Sequence, residues 1–283
     1  MSDLIVQLAL VEDIGPGDIT TLATISPERT GSAVILAKEP LVVCGQQVAA
    51  AVFAEVKHRF GYYVEYRAEA PDGSACKAGE QLAAMHGSLI GILIAERTVL
   101  NFLQHLSGIA SYTKQVVKQL DGKAKLLDTR KTTPGYRALE KYAVATGGGT
   151  NHRHGLFDAV LIKNNHIDAL QGDIAKAITQ SRSFAPPGTK VEVEVRSLEE
   201  LEAALAAKPD AILLDNMAPE LLRRAVKLVR SSATGAGIEL EASGGITMET
   251  VAAYGATGVD FISMGSLTHS ARAVDISLRY AAD

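Results

Sequence analysis

Residues 191–215 read VEVEVRSLEELEAALAAKPDAILLD. Positions 191–195 alternate valine with glutamate, which is the period of a β-strand. Positions 198–207 repeat apolar residues at helical spacing, and 211–214 form a short apolar run. A strand, a helix and a second strand within so short a span make a βαβ unit, whose two strands run parallel.

The same rhythm extends in both directions. Apolar runs at 125–128, 159–162, 238–242 and 261–264 have the length of strands, and 169–181, 219–229 and 248–254 read as amphipathic helices. Each strand ends in a polar or Gly-rich step. A barrel explains this better than a doubly wound sheet, because all its strand ends open on one shared face. With too few units for the ordinary eight, the expected fold is α/β, an incomplete parallel α/β barrel of six or seven strands.

Residues before 110 lack that rhythm. Strands near 34–38, 41–43, 62–67 and 81–85, a helix at 46–56 and a turn at 71–73 predict an N-terminal α+β sandwich domain with a mostly antiparallel sheet. Positions 93–120 are strongly helical, with Gly108 a candidate break. The expected domains are 1–110 and 111–268, with a C-terminal helix at 269–283 packing on the first.

Composition narrows the function classes. Hydrophobic residues make up 47% and charged residues 21%, which argues against disorder over most of the chain. A balance of 28 basic against 32 acidic residues, net −4, carries no global footprint for nucleic acid or an anionic membrane. Cys44 and Cys76 form no C-x-x-C pair, so reduced thiols are expected. The start of the chain lacks a basic n-region, and the most apolar stretch, 89–95, is too short for a bilayer; a cytoplasmic protein is expected.

The charge is nevertheless organised. Between 128 and 166 stand six basic residues, Arg130, Lys131, Arg137, Lys141, Arg153 and Lys163, against the three acidic residues Asp128, Glu140 and Asp158. Arg137 and Lys141 fall in a helix and are expected to be exposed. Arg130, Lys131 and Lys163 fall at strand ends, where a barrel gathers them into a site for a small polyanion. Alternation in 191–195 puts Glu192 and Glu194 on one face. Glu194 and Asp215, from neighbouring strands, suit Mg²⁺ and a structural ion pair such as one with Lys163 about equally, with ribose hydroxyls a further use. Ser243-Gly244-Gly245 and the step at Gly265 follow the last two strands, where barrels often hold a phosphate on backbone N–H groups. His152, His154 and His166 form a weak zinc set, since no cysteine or H-E-x-x-H pattern accompanies them. A hydrogen bond from a histidine beside Arg153 to an anion fits better.

The segments TRKTTPG at 129–135, GGGTNHRHGL at 147–156 and LIKNNH at 161–166 closely resemble quinolinate phosphoribosyltransferase (nicotinate-nucleotide pyrophosphorylase, carboxylating). So do EDIGPGDITT at 12–21 and ERT with LN at 96–101. The resemblance implies transfer of phosphoribose from phosphoribosyl pyrophosphate to quinolinate with decarboxylation, dependent on Mg²⁺. It implies a homodimer with shared active sites, its further assembly left open. Arg130, Lys131, His152, Arg153 and Lys163 would surround quinolinate and the phosphates, with Arg97 reaching across the dimer. Ser243, Gly244, Gly245 and Gly265 would hold the 5′-phosphate. Lys131, Lys163, Glu194 and Asp215 are the candidate catalytic residues, the last two also the candidate Mg²⁺ ligands. Four rivals stand beside this: a molybdenum-utilisation relative, a nicotinate phosphoribosyltransferase that skips decarboxylation, an aldolase using Lys163 as a Schiff-base nucleophile, and a non-catalytic phosphometabolite-binding regulator.

Overall fold

The computed structural model of the chain describes residues 2–281; Met1, Ala282 and Asp283 lie outside the described residues. The elements follow in the order α1 (Ser2–Ile14), α2 (Ile19–Thr24), β1 (Thr30–Ala37), β2 (Leu41–Val42), α3 (Gln46–Phe60), β3 (Val64–Ala68), β4 (Ala75–Cys76), β5 (Gln81–Ser88) and α4 (Leu89–Leu120). Then come β6 (Lys125–Leu127), α5 (Arg137–Thr146), β7 (Val160–Ile162), α6 (Asn164–Ala169), α7 (Ile174–Phe184), β8 (Val191–Val195) and α8 (Leu198–Ala207). The chain ends with β9 (Ala211–Asp215), α9 (Pro219–Ser231), β10 (Glu239–Ser243), α10 (Val251–Gly255), β11 (Phe261–Ser263), α11 (Ser266–His269) and β12 (Ile276–Ala281).

The chain forms two compact units. The first holds residues 1–114, 132–148 and 267–283, and the second 115–131 and 149–266. The expected single boundary at 110 therefore misses two returns: α5 with its preceding loop, and the C-terminal segment, both belong to the first unit. That segment is a strand, not the expected helix. β12 pairs antiparallel with β1 from Ser32↔Ala281 to Ala37↔Ile276. The edge of β1 offers unpaired N–H and C=O groups, and satisfying them outweighs local helix propensity.

In the first unit the sheet order is β12-β1-β5-β3, with β2 and β4 forming a separate pair. The outer edge of β2 and the residues after it is closed by α4. Ser111 Oγ accepts the Val42 N–H at 2.7 Å, and Ser107 Oγ accepts the Cys44 N–H at 2.9 Å. These serines are one helical turn apart, so both point at one strand edge. Cys44 and Cys76 are buried free thiols, and burial with the charge of Asp72 pushes Cys44 up to about 12.

α4 is longer than expected and is unbroken at Gly108. It is long and apolar enough to cross a membrane by length and composition, yet 67% of its apolar window is buried within the protein, as in a core helix. Gly108 is where residues 272–273 cross it: a Cβ there would lie 2.1 Å from the Arg272 carbonyl oxygen. Lys141, expected to be exposed, is only 2% accessible, and Arg137 is half-buried with its Nε–H donated to Thr132 Oγ1 at 2.9 Å. Helix α5 turns this face inward beside Glu140, which takes the Thr133 N–H at 3.1 Å and lies 3.0 Å from His105 Nε2.

The second unit is a parallel sheet in the order β6-β11-β10-β9-β8-β7. β6 and β7 are consecutive along the chain but occupy the two ends, so the order is that of a ring cut at one seam. At that seam Thr150 adds a one-residue parallel bridge beside Leu127 of β6. The α/β class and the six parallel strands agree with the sequence reading. The valines of β8 and the apolar residues of β9 are buried, as in a sheet covered on both faces.

Candidate active site

Strand direction places the carboxyl ends of β6–β11 on one rim. Thr129, Arg130 and Lys131 follow β6, and His152 and Arg153 follow the Thr150 bridge. Lys163 ends β7, Glu194 lies on β8, Asp215 ends β9, and Ser243-Gly244-Gly245 ends β10. All these residues line one cavity of about 450 Å³, with Leu161, Leu213, Asn216, Glu241 and Ser263. Its volume suits a small ligand. Of the expected site residues two are elsewhere: Arg97 is exposed on α4 in the other unit, and Gly265 is not in the lining. A larger opening of about 740 Å³ sits at the opposite strand ends, near Lys190, Asp210 and Glu239. Its charges are already spent in the pairs Lys190–Glu239 and Arg182–Asp210.

Each charged group has a fixed setting. Lys163 Nζ donates to Glu194 Oε2 at 3.2 Å, with the lysine half exposed and the glutamate buried. A solvated, paired lysine lacks the desolvation a Schiff-base nucleophile needs, which weighs against the aldolase reading. The Lys163 backbone N–H donates to His166 Nδ1 at 2.8 Å, so His166 caps α6 and is not part of a histidine metal set. His154 lies in a turn whose Asp158 accepts its N–H at 2.6 Å and that of Gly155 at 2.9 Å. Burial, and then the like charge of Arg130, push the Arg153 guanidinium below its usual range. Two cations that repel each other in one cavity form a site that an anion relieves. Asp215 is held above its usual range by burial and by the charge of Glu194, with Lys163 and Lys131 opposing.

The phosphate-type loop is shaped by close approach. Gly244 has φ +98°, and a Cβ there would meet Asn216 Oδ1 at 2.2 Å, so only glycine fits. Asn216, itself at φ +54°, donates its N–H to the Ser243 carbonyl at 2.8 Å, tying the ends of β9 and β10 together.

Beneath the cationic rim lies a group that the sequence reading did not assemble. His152 Nε2 stands 3.2 Å from Glu192 Oε2 and 3.3 Å from Glu241 Oε2. Its Nδ1 accepts the Arg153 N–H at 2.7 Å, and its own N–H donates to Asp128 Oδ1 at 2.8 Å. Burial works against a charged ring, but hydrogen bonds to Glu192 and Glu241 and their charges prevail and push His152 up to about 9. Burial raises Glu241 as well, against its hydrogen bond to His152. The three ligand atoms lie within 4.8 Å of one another, the donor type of a transition-metal site. However, an imidazole bound to metal through Nε2 carries its proton on Nδ1, where here the Arg153 N–H already points. The set is better suited to holding a proton.

Two family models divide the chain near residue 108, close to the boundary expected from the sequence and unlike the two compact units. Residues 18–107 match the model of the quinolinate phosphoribosyl transferase N-terminal domain, and residues 109–279 that of the C-terminal domain. Over 275 residues the chain is 45% identical to a nicotinate-nucleotide pyrophosphorylase [carboxylating] of Mycobacterium leprae, covering 96% of this chain and 95% of that one. It is 44% identical to a probable nicotinate-nucleotide pyrophosphorylase [carboxylating] of Bacillus subtilis, over 95% of this chain and 89% of the relative. The solved nicotinate-nucleotide pyrophosphorylase of Francisella tularensis superimposes with a TM-score of 0.91 at 40% identity, covering 99% of this chain and 96% of that one.

Proposed function

The chain belongs to the quinolinate phosphoribosyltransferase family, and from that premise we propose how its barrel pocket does the chemistry. The reaction joins quinolinate to phosphoribosyl pyrophosphate and releases CO₂ and pyrophosphate, giving nicotinate mononucleotide for NAD biosynthesis. One observation carries the assignment of roles: Arg130, Lys131, Arg153 and Lys163 converge on a single cavity from separate stretches of sequence.

Quinolinate is a dianion and its partner a polyanion, so their encounter in water is repulsive. Arg130 and Arg153 take the quinolinate carboxylates, whose charge eases their mutual repulsion. Lys131 and Lys163 face the phosphates and the developing negative charge on the leaving group. The pyridine nitrogen is already nucleophilic, so the pocket works by placing it against the anomeric carbon without a general base. Glu194 and Asp215 favour the oxocarbenium-like ribose by charge. Ser243, Gly244 and Gly245 receive the 5′-phosphate on backbone N–H groups, with Gly265 close behind.

The raised pKa of Asp215 beside Glu194 marks a like-charge pair that a divalent cation would relieve. Glu194 and Asp215 would therefore hold Mg²⁺, which when bound neutralises pyrophosphate as it leaves. Once ribosylated, the ring nitrogen is positive and stabilises the carbanion left when the adjacent carboxylate departs as CO₂, so decarboxylation follows transfer and a proton from water then fills that carbon.

The enzyme works in the cytoplasm as a homodimer in which the partner subunit's Arg97 completes the pocket. In support, Arg97 is exposed and lies outside the unit that holds the cavity. The exposed apolar side chains Leu4, Leu8 and Val11, at one-turn spacing on α1, also give a face that association would cover.

The test is to mix protein, Mg²⁺, phosphoribosyl pyrophosphate and quinolinate labelled in its 2-carboxylate. Nicotinate mononucleotide and labelled CO₂ are expected in equal amounts, with loss of turnover on chelation. Binding without turnover would overturn the reading, and free nicotinate as an obligatory intermediate would overturn the order of steps.

A further inference from the structure

Two buried glutamates call for an explanation: Glu241, in the lining of a pocket built for anions, and Glu192, which meets it at His152. Glu192 is 5% exposed and Glu241 3%, and Glu241 Oε1 has no hydrogen-bond partner among the described residues. Burying such groups is costly. Nearby interior positions on the neighbouring strands are filled by Leu161 and Leu213, so packing alone would be served by apolar residues.

The geometry gives the two acids a common target. They reach one nitrogen, His152 Nε2, from strands β8 and β10, while Nδ1 on the far side of the ring takes the Arg153 N–H. The imidazole is thus a strut between the barrel interior and the backbone of the loop that carries Arg153. Asp128 fixes the same backbone from β6 through the His152 N–H. The Arg153 side chain is tied in turn, Nη1 donating to the Ala159 carbonyl at 3.2 Å. With Nδ1 accepting the Arg153 N–H, the ring carries its proton on Nε2, between the two carboxylates, and the trio is net negative. That charge lies on the side of the ring facing away from the Arg153 backbone.

We propose that Glu192 and Glu241 are positioning residues that act through His152 to hold Arg153 in place for its anionic substrate. The inference rests on the reading above only for the identity of that substrate, quinolinate. Neither glutamate touches the reacting atoms. What they set is where Arg153 stands before substrate arrives, so their loss falls on quinolinate and spares the phosphoribosyl end of the pocket.

The experiment uses Glu241→Gln and Glu192→Gln, which keep shape and an acceptor but remove charge, with thermal melts to confirm folding. Each is expected to raise the KM for quinolinate about tenfold or more while leaving the KM for phosphoribosyl pyrophosphate within about twofold. If the glutamates act through Arg153, adding Glu241→Gln to Arg153→Ala changes the quinolinate KM by less than about twofold. Equal effects on both substrates, unchanged kinetics in folded single variants, or full additivity in the double variant would each overturn the proposal. If wild-type protein fails to form nicotinate mononucleotide, the functional reading falls instead. The same comparison is then made on quinolinate binding by calorimetry, where the single variants are expected to weaken affinity about tenfold and the double variant to match Arg153→Ala; no such loss overturns the positioning role.

Discussion

Arg153 is the residue at which the demands of the site meet. It is partly desolvated, faces the like charge of Arg130, and gives hydrogen bonds from both backbone and side chain. A guanidinium so placed loses most when its partner anion is absent, and the anion loses most when the guanidinium is removed. Arg153→Ala is expected to lower kcat/KM for quinolinate by about 30-fold or more, as losing one partner of a desolvated charge pair costs roughly 2–5 kcal/mol. Steady-state kinetics with quinolinate as the varied substrate check this. The proton held below gives a second prediction. The trio of His152 and its two carboxylates holds a proton up to about 9, against 6.5 for a free imidazole, and with Nδ1 accepting the Arg153 N–H that proton sits on the carboxylate side of the ring, so between those values the folded chain binds more protons than the unfolded one. Stability from this cluster is complete below about pH 6.5 and is lost as pH rises through about 9. Melting temperatures across that window should fall for the wild type and fall less for the Glu192→Gln/Glu241→Gln double variant. Parallel profiles would show that the cluster holds no extra proton.

Among elements, α4 shows how a single position decides packing. At Gly108 the carbonyl of Arg272 comes so close that a Cβ would lie 2.1 Å from it, and that neighbour is backbone and cannot swing aside. Alanine favours a helix over glycine by about 1 kcal/mol, but overpacking costs about 1–3 kcal/mol. With backbone as the obstacle the clash wins, so Gly108→Ala should lower the denaturation midpoint, read by chemical unfolding. In the sequence this glycine reads as a candidate helix break, because its reason lies in residues 272–273, far along the chain. The same distinction separates what the sequence could and could not disclose. The strand-end residues Arg130, Lys131, Lys163 and Asp215 were legible because a parallel barrel sends every carboxyl end to one rim, so local pattern and global position coincide. Glu241 was not, since ELEAS could equally be a strand with a wet face; only His152, arriving from another loop, marks that face as interior. Lys141 reads as exposed for a related reason: a lysine beside a glutamate on a helix looks solvated until the packing over that helix is known, and here it is buried. The strand at 276–281 needed the open edge of β1, which no local pattern contains.

For the whole molecule, the placement of Arg97 in one unit and of the cavity in the other sets up a test of shared active sites. If each pocket is completed by the partner subunit's Arg97, Arg97→Ala and Lys163→Ala homodimers are both inactive, each lacking one group in every pocket. In a mixed dimer the defects distribute unevenly. One pocket combines the Lys163→Ala barrel with the damaged Arg97, and the other combines an intact barrel with an intact Arg97. Random exchange gives half mixed dimers, each with one working pocket, so activity should return to about a quarter of wild type when the two inactive proteins are mixed and allowed to exchange. Restoration should track the rate of subunit exchange, be absent when the subunits cannot dissociate, and be absent when two Lys163→Ala preparations are mixed. If Arg97 served the pocket of its own chain, every mixed dimer would carry one defect in each pocket and nothing would be regained. Recovery therefore reports the geometry of sharing, and not the mere presence of a dimer.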